Sequence, residues 1–481
     1  MATVVPTNEA AFTLAEVAAA TGGELRGDPA ARVVGVGSDT RTLSPGTLFV
    51  ALRGERFDGH AHLEAAKAKG AAAALVEAGA PAVEAFPTVV VADTVRALGA
   101  LAAAHLARAR DHRPLPVIAI SGAVGKTTTK ELTAAALRAA YGETLATVGN
   151  LNNLIGAPFT LLSLTDAHRA AVIECGSNAP GEIARIAALV RPDVALVTNA
   201  DAAHTELLGS IDAVAREEGS LFAFARIAVV GNADEPRSAS QMSRALADRA
   251  RWLFGTSPEA HVALSSRALR PDGGASLTFT VSPELSPVGE LSVETPLVGA
   301  SAATNIAAAL CAVAALGASP EQLVAAAKAL GAVGAVPGRL QPLSLRGALV
   351  LDDTYNASPR AVRAALAAAR ELAAARGARL LVALGDMLEL GTLSREAHEE
   401  AAREVLDAGA EVFIAAGPET AAGAASLSDT PGMELVTVED SAAAGVALAA
   451  RVREGDVVLV KGSRGMRMER CVAALSGGEQ G

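Results

Sequence analysis

The sequence predicts an α/β protein of three domains, and three observations carry that prediction. The chain has 481 residues, more than one hydrophobic core ordinarily serves, which sets an expectation of about three domains. Hydrophobic residues make up 51 % of it and charged residues 19 %, a balance that favours packed cores over disorder. Short β-branched runs alternate with alanine-rich stretches in which Leu, Val and charged residues recur at helical spacing, the pattern of parallel strands covered by helices.

Taken in order, residues 1–112 read as a first small α/β domain, with apolar runs at Thr47 to Leu52 and Thr88 to Val91 and a helical stretch at His62 to Lys69. Asp111-His112-Arg113-Pro114-Leu115-Pro116 breaks the helical pattern, because two prolines so close together favour an extended connector. Residues 113–335 then open on Val117-Ile118-Ala119-Ile120 and continue through Ala171 to Ile173 and Val194 to Val197. A mostly parallel sheet is expected, with ligands beyond the carboxyl ends of its strands. After Val336-Pro337-Gly338, residues 336–481 carry Leu349 to Leu351, Leu380 to Leu384, Val412 to Ala416 and Val457 to Val460, a third α/β unit.

Composition excludes some functions. A net charge of −11 and an aromatic content of 3 % argue against a nucleic-acid partner, which calls for a basic field and stacking surfaces. Cys175, Cys311 and Cys471 are odd in number and far apart, so buried thiols are expected rather than disulfides or a zinc site. With Glu9 and Glu16 near the first residues and no apolar stretch of membrane-spanning length in the sequence, neither a signal peptide nor a membrane span is expected. A cytoplasmic monomer without membrane insertion is the expectation.

The strongest local signal is Ser121-Gly122-Ala123-Val124-Gly125-Lys126-Thr127-Thr128, where a strand gives way to a helix. Gly122 and Gly125 let backbone amides approach phosphate oxygens, and the helix N-terminus adds its dipole. Lys126 would reach the β- and γ-phosphates of ATP and the Thr127 hydroxyl would ligate Mg²⁺. The general phosphate-loop pattern would put glycine at position 120, where this chain has Ile120. Glu174, Asn199 and His204 follow other strands at the same sheet edge, where a carboxylate and an imidazole can complete a metal site. Asp352-Asp353-Thr354-Tyr355-Asn356 and Gly385-Asp386-Met387 stand at strand ends in the third unit, where helix capping is an equal reading.

The loop from Gly122 to Glu131 resembles the ATP loop of the Mur ligases, whose spacing is shortened in the same way. The stretches Asn150 to Pro158, Asp352 to Pro359, Leu384 to Gly391 and Lys461-Gly462-Ser463-Arg464, with Asp39-Thr40-Arg41 and Pro45 to His60, resemble the same family and cover all three units. Within the family these stretches look like the members that join D-alanyl-D-alanine to UDP-N-acetylmuramoyl-tripeptide through an acyl phosphate, so that reaction is what the resemblance implies. The resemblance implies an N-terminal domain for the UDP end, a central phosphate-loop ATPase domain and a C-terminal Rossmann-like domain. It implies that Gly122, Ala123, Val124, Gly125, Lys126, Thr127 and Thr128 hold ATP with Asn305, Arg339 and Asp353. Catalysis would rest on Lys126, Glu174 and His204, with Thr127, Glu174 and His204 holding Mg²⁺. Substrate would meet Asp39, Thr40, Arg41, Phe57, Asp58, Gly59, His60, Asn152 and Asn153, and the dipeptide Lys461 and Arg464.

Four departures stand out. Glu218, in Arg216-Glu217-Glu218-Gly219, occupies the place where the family often has a carbamylated lysine, so Glu218 is expected to supply a carboxylate to the metal directly. Ser301-Ala302 replaces His-Asn, Ser358 replaces a common Asn, and the loop Asn199 to His204 lacks the usual glycine. The rivals are a diaminopimelate-adding or folylpolyglutamate-synthase-like ligase and a non-catalytic nucleotide-binding partner. The Asp-Asn-Pro-Arg tetrapeptide of the diaminopimelate-adding enzyme is missing.

Overall fold

The computed structural model describes residues 5–54, 57–177, 179–202, 205–270 and 272–477. Among them, Glu24–Arg26 (β1), Val36–Gly37 (β2), Leu48–Val50 (β3), Ala73–Glu77 (β4) and Thr88–Val91 (β5) form a five-stranded sheet in the order β1-β5-β4-β3-β2. The pairs are parallel except β1 with β5. Helix Leu63–Ala68 (α1) precedes β4, and Thr94–His112 (α2) follows β5. Asp93 caps α2 by accepting the Arg96 N–H at 2.9 Å, and the backbone turns extended at Arg113 as the prolines approach.

The central sheet has nine strands: Val117–Ser121 (β6), Thr144–Ala146 (β7), Ala170–Glu174 (β8), Val194–Val197 (β9), Ala228–Asn232 (β10), Ala250–Gly255 (β11), Val262–Leu269 (β12), Ala275–Val281 (β13) and Glu290–Thr295 (β14), in the order β7-β8-β6-β9-β10-β11-β12-β13-β14. From β7 to β12 the pairs are parallel; β12-β13 and β13-β14 are antiparallel. This antiparallel edge extends the sheet beyond the parallel strands read from the sequence. Its strands alternate buried and exposed residues, a half-buried period-two pattern rather than the continuous apolar runs of the parallel core. Helices Lys126–Tyr141 (α3), Gly156–Leu162 (α4), Glu182–Val190 (α5), Ile211–Gly219 (α6) and Ala300–Ala315 (α7) cover the sheet.

The third sheet, Gln341–Leu345 (β15), Ala348–Asp353 (β16), Leu380–Gly385 (β17), Val412–Ala416 (β18), Glu434–Val438 (β19) and Val457–Lys461 (β20), runs β15-β16-β20-β17-β18-β19. It is parallel apart from the β15-β16 hairpin, and Pro359–Arg376 (α8) crosses over from β16.

One apolar cluster runs without a break from the first sheet into the central one, joining Leu48 and Leu75 to Leu98, Leu106, Leu115, Phe159 and Ile183. Buried Asp193 reinforces the junction, pairing with Arg110 of α2 at 3.0 Å and Arg226 at 2.9 Å while accepting the Val117 N–H. The third sheet has clusters of its own, to which the central segment contributes buried Ala202 and Val298 and partly buried Ile211 and Leu269.

Candidate active site

Strand β6 ends at Ser121, and the next residues must turn sharply into α3. Gly122 has φ +130°, and a Cβ there would collide with Thr198 Oγ1 and lie 3.0 Å from the Thr198 amide nitrogen; no side chain fits. Gly125, at φ +88°, packs against Asn305, whose Oδ1 would stand 2.8 Å from any Cβ. The carboxyl end of the adjacent strand β9 clamps the loop. Asn199 Oδ1 accepts the Val124 N–H at 3.0 Å, its Nδ2 donates to Val124 O at 2.8 Å, and Thr198 Oγ1 donates to the same carbonyl at 2.7 Å. Asn199 thus holds the loop, and Thr198, which no sequence motif singles out, shares the task. The Lys126 ammonium donates to the Gly122 and Ala123 carbonyls, and Asn305 Oδ1 accepts from Thr129 Oγ1 at 3.3 Å.

Glu174 is buried at the end of β8. Its Oε1 accepts from Thr127 Oγ1 at 3.2 Å and Asn152 Nδ2 at 2.8 Å, while its Oε2 is buried with no hydrogen-bond partner. Glu218, also buried, accepts from Ser121 Oγ and, at 2.9 Å, from the Gly122 N–H. Its neighbour Glu217 instead caps α5 through the Gly181 and Ile183 amides. Burial foremost, then the charges of Glu174 and Glu218, push the Cys175 thiol far up, with Lys126 pulling the other way. The Glu174 and Glu218 carboxylates and the Lys126 ammonium thus act on one small region. Among the described residues no three His, Cys, Asp or Glu side chains converge; His204 lies outside the described residues. The orphaned Glu174 oxygen, the Thr127 hydroxyl and the excess negative charge fit a hard divalent cation with oxygen ligands such as Mg²⁺.

A cavity of about 630 Å³ opens above the loop. It is lined by residues 123–128, Asn152, Asn153, Glu174 and Asn305 on the central side and by Arg339, Asp353, Tyr355, Lys461 and Arg464 on the C-terminal side. Arg339 stacks over the Tyr355 ring at 4.2 Å and Arg464 approaches it at 5.7 Å. Two of the expected residues on this side hold each other. Lys461 is buried and donates to Asp353 Oδ2 at 2.6 Å and Asn356 O at 2.9 Å, while Asp353 Oδ1 accepts the Leu340 N–H at 3.0 Å. The charge read as a dipeptide anchor is thus committed to Asp353, and Asp353 to Lys461. Likewise Asn153 Oδ1 accepts the Ile155 and Gly156 amides at the start of α4.

The residues expected at the UDP end do not line this cavity. Asp39 and Arg41 form an exposed pair at 2.6 Å, which holds the Asp39 carboxyl below its ordinary range through the Arg41 side-chain and backbone hydrogen bonds, and Thr40 stands between them. Phe57 stacks on His62 with ring centroids 5.6 Å apart. His60 is buried, its Nε2 accepting the Glu77 N–H at 2.9 Å; Nδ1 therefore carries the proton and donates to Asp58 Oδ1 at 2.6 Å. Gly59 sits where a Cβ would stand 2.9 Å from the Leu52 backbone. Gly59 and His60 are thus packed into the turn, while Phe57 and Arg41 are exposed and Asp39, Thr40 and Asp58 half-buried.

Comparison with known proteins extends over all three units. The chain matches the Mur ligase family, catalytic domain, over residues 32–106, the Mur ligase middle domain over 120–313, and the Mur ligase, glutamate ligase domain over 338–464. It is 39 % identical to the UDP-N-acetylmuramoyl-tripeptide–D-alanyl-D-alanine ligase of Escherichia coli K12 over 96 % of this chain and 98 % of that protein. Its fold superposes on MurF from Acinetobacter baumannii with a TM-score of 0.86, at 29 % identity, covering 98 % of this chain and 99 % of that one. MurF of Thermotoga maritima, solved in complex with ADP, gives 0.78 at 26 % identity, over 92 % and 96 % of the two chains. With a shortened phosphate loop, a buried acidic pair beneath it and likeness to these ligases from end to end, the chain belongs to the MurF branch of the Mur ligase family.

Proposed function

We propose that the chain joins D-alanyl-D-alanine to UDP-N-acetylmuramoyl-tripeptide in peptidoglycan precursor synthesis, driven by ATP, as a cytoplasmic monomer. The observation that carries this reading is the cavity itself, with a phosphate loop on one wall and cationic side chains of a separate domain on the other. A carboxylate is a poor nucleophile toward a triphosphate, so catalysis here consists of positioning and charge neutralisation.

In the first step a tripeptide carboxylate oxygen bonds to the γ-phosphorus, and the bond to the ADP oxygen breaks. The loop amides and Lys126 hold the phosphates, and Lys126 leaves the Gly122 and Ala123 carbonyls to do so. Thr127, Glu174 and Glu218 are the described residues that would hold Mg²⁺, with His204 as the further candidate; the ion supplies charge neutralisation when bound. In the second step the dipeptide amine, having lost a proton, adds to the acyl carbonyl, and the tetrahedral intermediate expels phosphate. Arg339 and Arg464, both near the Tyr355 ring, would meet anionic groups at the C-terminal wall, and Asn305 would contact the base of the nucleotide. Asn152 keeps Glu174 oriented. Lys461 sets the wall by holding Asp353, and Asp39, Thr40, Arg41 and Phe57 are the groups that would meet the UDP end.

Incubation with ATP, Mg²⁺ and UDP-N-acetylmuramoyl-tripeptide tests the reading. Phosphate release and a pentapeptide product by mass spectrometry are expected with D-alanyl-D-alanine and not with single amino acids; release with diaminopimelate or glutamate alone would overturn it.

A further inference from the structure

Asp201 stands two residues beyond Asn199, which clamps the phosphate loop, yet its own contacts lie in the C-terminal domain. Its Oδ2 accepts from Ser358 Oγ at 3.2 Å and from the Arg360 backbone N–H at 3.2 Å. Ser358 is the N-cap residue of α8, and its hydroxyl makes no capping bond within its own helix. The first turn of α8 is therefore capped by a carboxylate from another domain, where a helix end presents unpaired amides and a positive dipole. Ala202 next door is buried in the cluster of Ala357, Val362 and Leu366, so the segment is seated by apolar contact as well. Between Asp353 and Ser358 runs the loop that carries Tyr355 and lines the cavity.

We propose that Asp201 is a positioning residue for the ligation. By capping α8 across the domain boundary it sets where the C-terminal wall of the cavity stands over the phosphate loop. The inference rests on the ligase reading for its kinetic test alone. A cap and dipole contact of this kind biases an equilibrium by about five- to tenfold, and a ligand that needs the docked arrangement binds more weakly by the fraction of docked molecules lost.

The test compares Asp201→Ala, Asp201→Asn, Ser358→Ala and the double variant D201A/S358A with the unaltered chain, by isothermal titration of Mg·ADP, X-ray scattering and steady-state kinetics. Asp201→Ala is expected to raise the ADP dissociation constant and the KM for ATP measurably, by up to about five- to tenfold, to increase the radius of gyration, and to leave kcat within about twofold because saturating substrate restores docking. Asp201→Asn, which keeps an acceptor but no charge, should fall between, and Ser358→Ala should add little on top of Asp201→Ala. A fall in kcat with KM and scattering unchanged, or full additivity of the two alanine changes, would overturn the proposal. Should the unaltered chain release no phosphate with D-alanyl-D-alanine, the ligase reading fails, and the ADP titration and scattering still decide the role of Asp201.

Discussion

Replacing Lys461 by Met should destabilise the C-terminal domain by several kcal/mol without removing any apolar contact from its core. Lys461 and Asp353 are direct partners across the parallel pair β16-β20, with side chains only 2 % and 13 % exposed. At their 2.6 Å separation the Coulomb attraction is roughly 6 kcal/mol for an effective dielectric constant of about 20. Desolvation of the ammonium offsets much of that, so the intact pair contributes little net stability, whereas removing one partner strands the other and costs about 3–5 kcal/mol. After the change Asp353 would still accept the Leu340 N–H, but no cation would face it. At roughly 2–4 °C per kcal/mol for a unit of this size, the domain's transition should fall by about 6–20 °C. Differential scanning calorimetry with hydrogen exchange on β16 and β20 measures this. Fluorescence would miss it, because the single tryptophan, Trp252, lies in β11 of the central sheet. The double variant K461M/D353N, with no stranded charge and the Leu340 contact kept, should recover most of the loss. A fall below about 1 kcal/mol, or a double variant no more stable than the single, would refute the argument.

Glu174→Gln keeps the Asn152 and Thr127 neighbours but removes the charge beneath the orphaned oxygen. It should raise the Mg²⁺ concentration needed for half-maximal ADP binding by about 10–100-fold, and an unchanged requirement would exclude Glu174 from the metal. Glu218→Ala should lose activity and regain part of it with formate or acetate; unchanged Mg²⁺ dependence in that variant would show that Glu218 serves the loop alone. His105, whose Nε2 donates to Leu164 O at 2.9 Å and whose Nδ1 accepts from Arg108, is held below its ordinary 6.5 chiefly by burial. The unfolded chain then binds the extra proton first, so stability is full above about pH 6.5 and falls as pH drops from there toward the lowered folded value. His105→Gln should flatten that part of a melting-temperature profile between pH 5 and 7.5, and a profile of unchanged slope would assign the acid loss elsewhere.

Much of this architecture is legible in the residues because parallel strands are buried on both faces and read as unbroken apolar runs, as Val117 to Ile120 and Val457 to Val460 do. The antiparallel edge β12 to β14 is less legible, since half its residues face solvent and its runs are diluted with Ser, Thr and Glu. At the site, residue type at a strand end announces Lys126, Thr127 and Glu174. Partnership is hidden wherever it depends on a distant segment: Lys461 finds Asp353 more than a hundred residues away, Glu218 finds Ser121 and Gly122, and His60 turns inward because Asp58 and the Glu77 amide take both ring nitrogens. Spacing along the chain carries no record of those meetings.

The unbroken apolar cluster between the first and central sheets has a consequence for how the gene can be cut. A fragment ending at the proline-rich connector, or beginning just after it, would lay bare Leu106 or Phe159 and Ile183 to water, and each half should aggregate rather than fold. The C-terminal segment has its own two clusters and meets the rest mainly through a cap, a few side-chain pairs and a small apolar contact at Ala202, Ile211, Leu269 and Val298. Recombination between related genes should therefore succeed near residue 336 and fail near residue 113, so that the piece exchanged as a unit is the lid over the phosphates, never the platform beneath them.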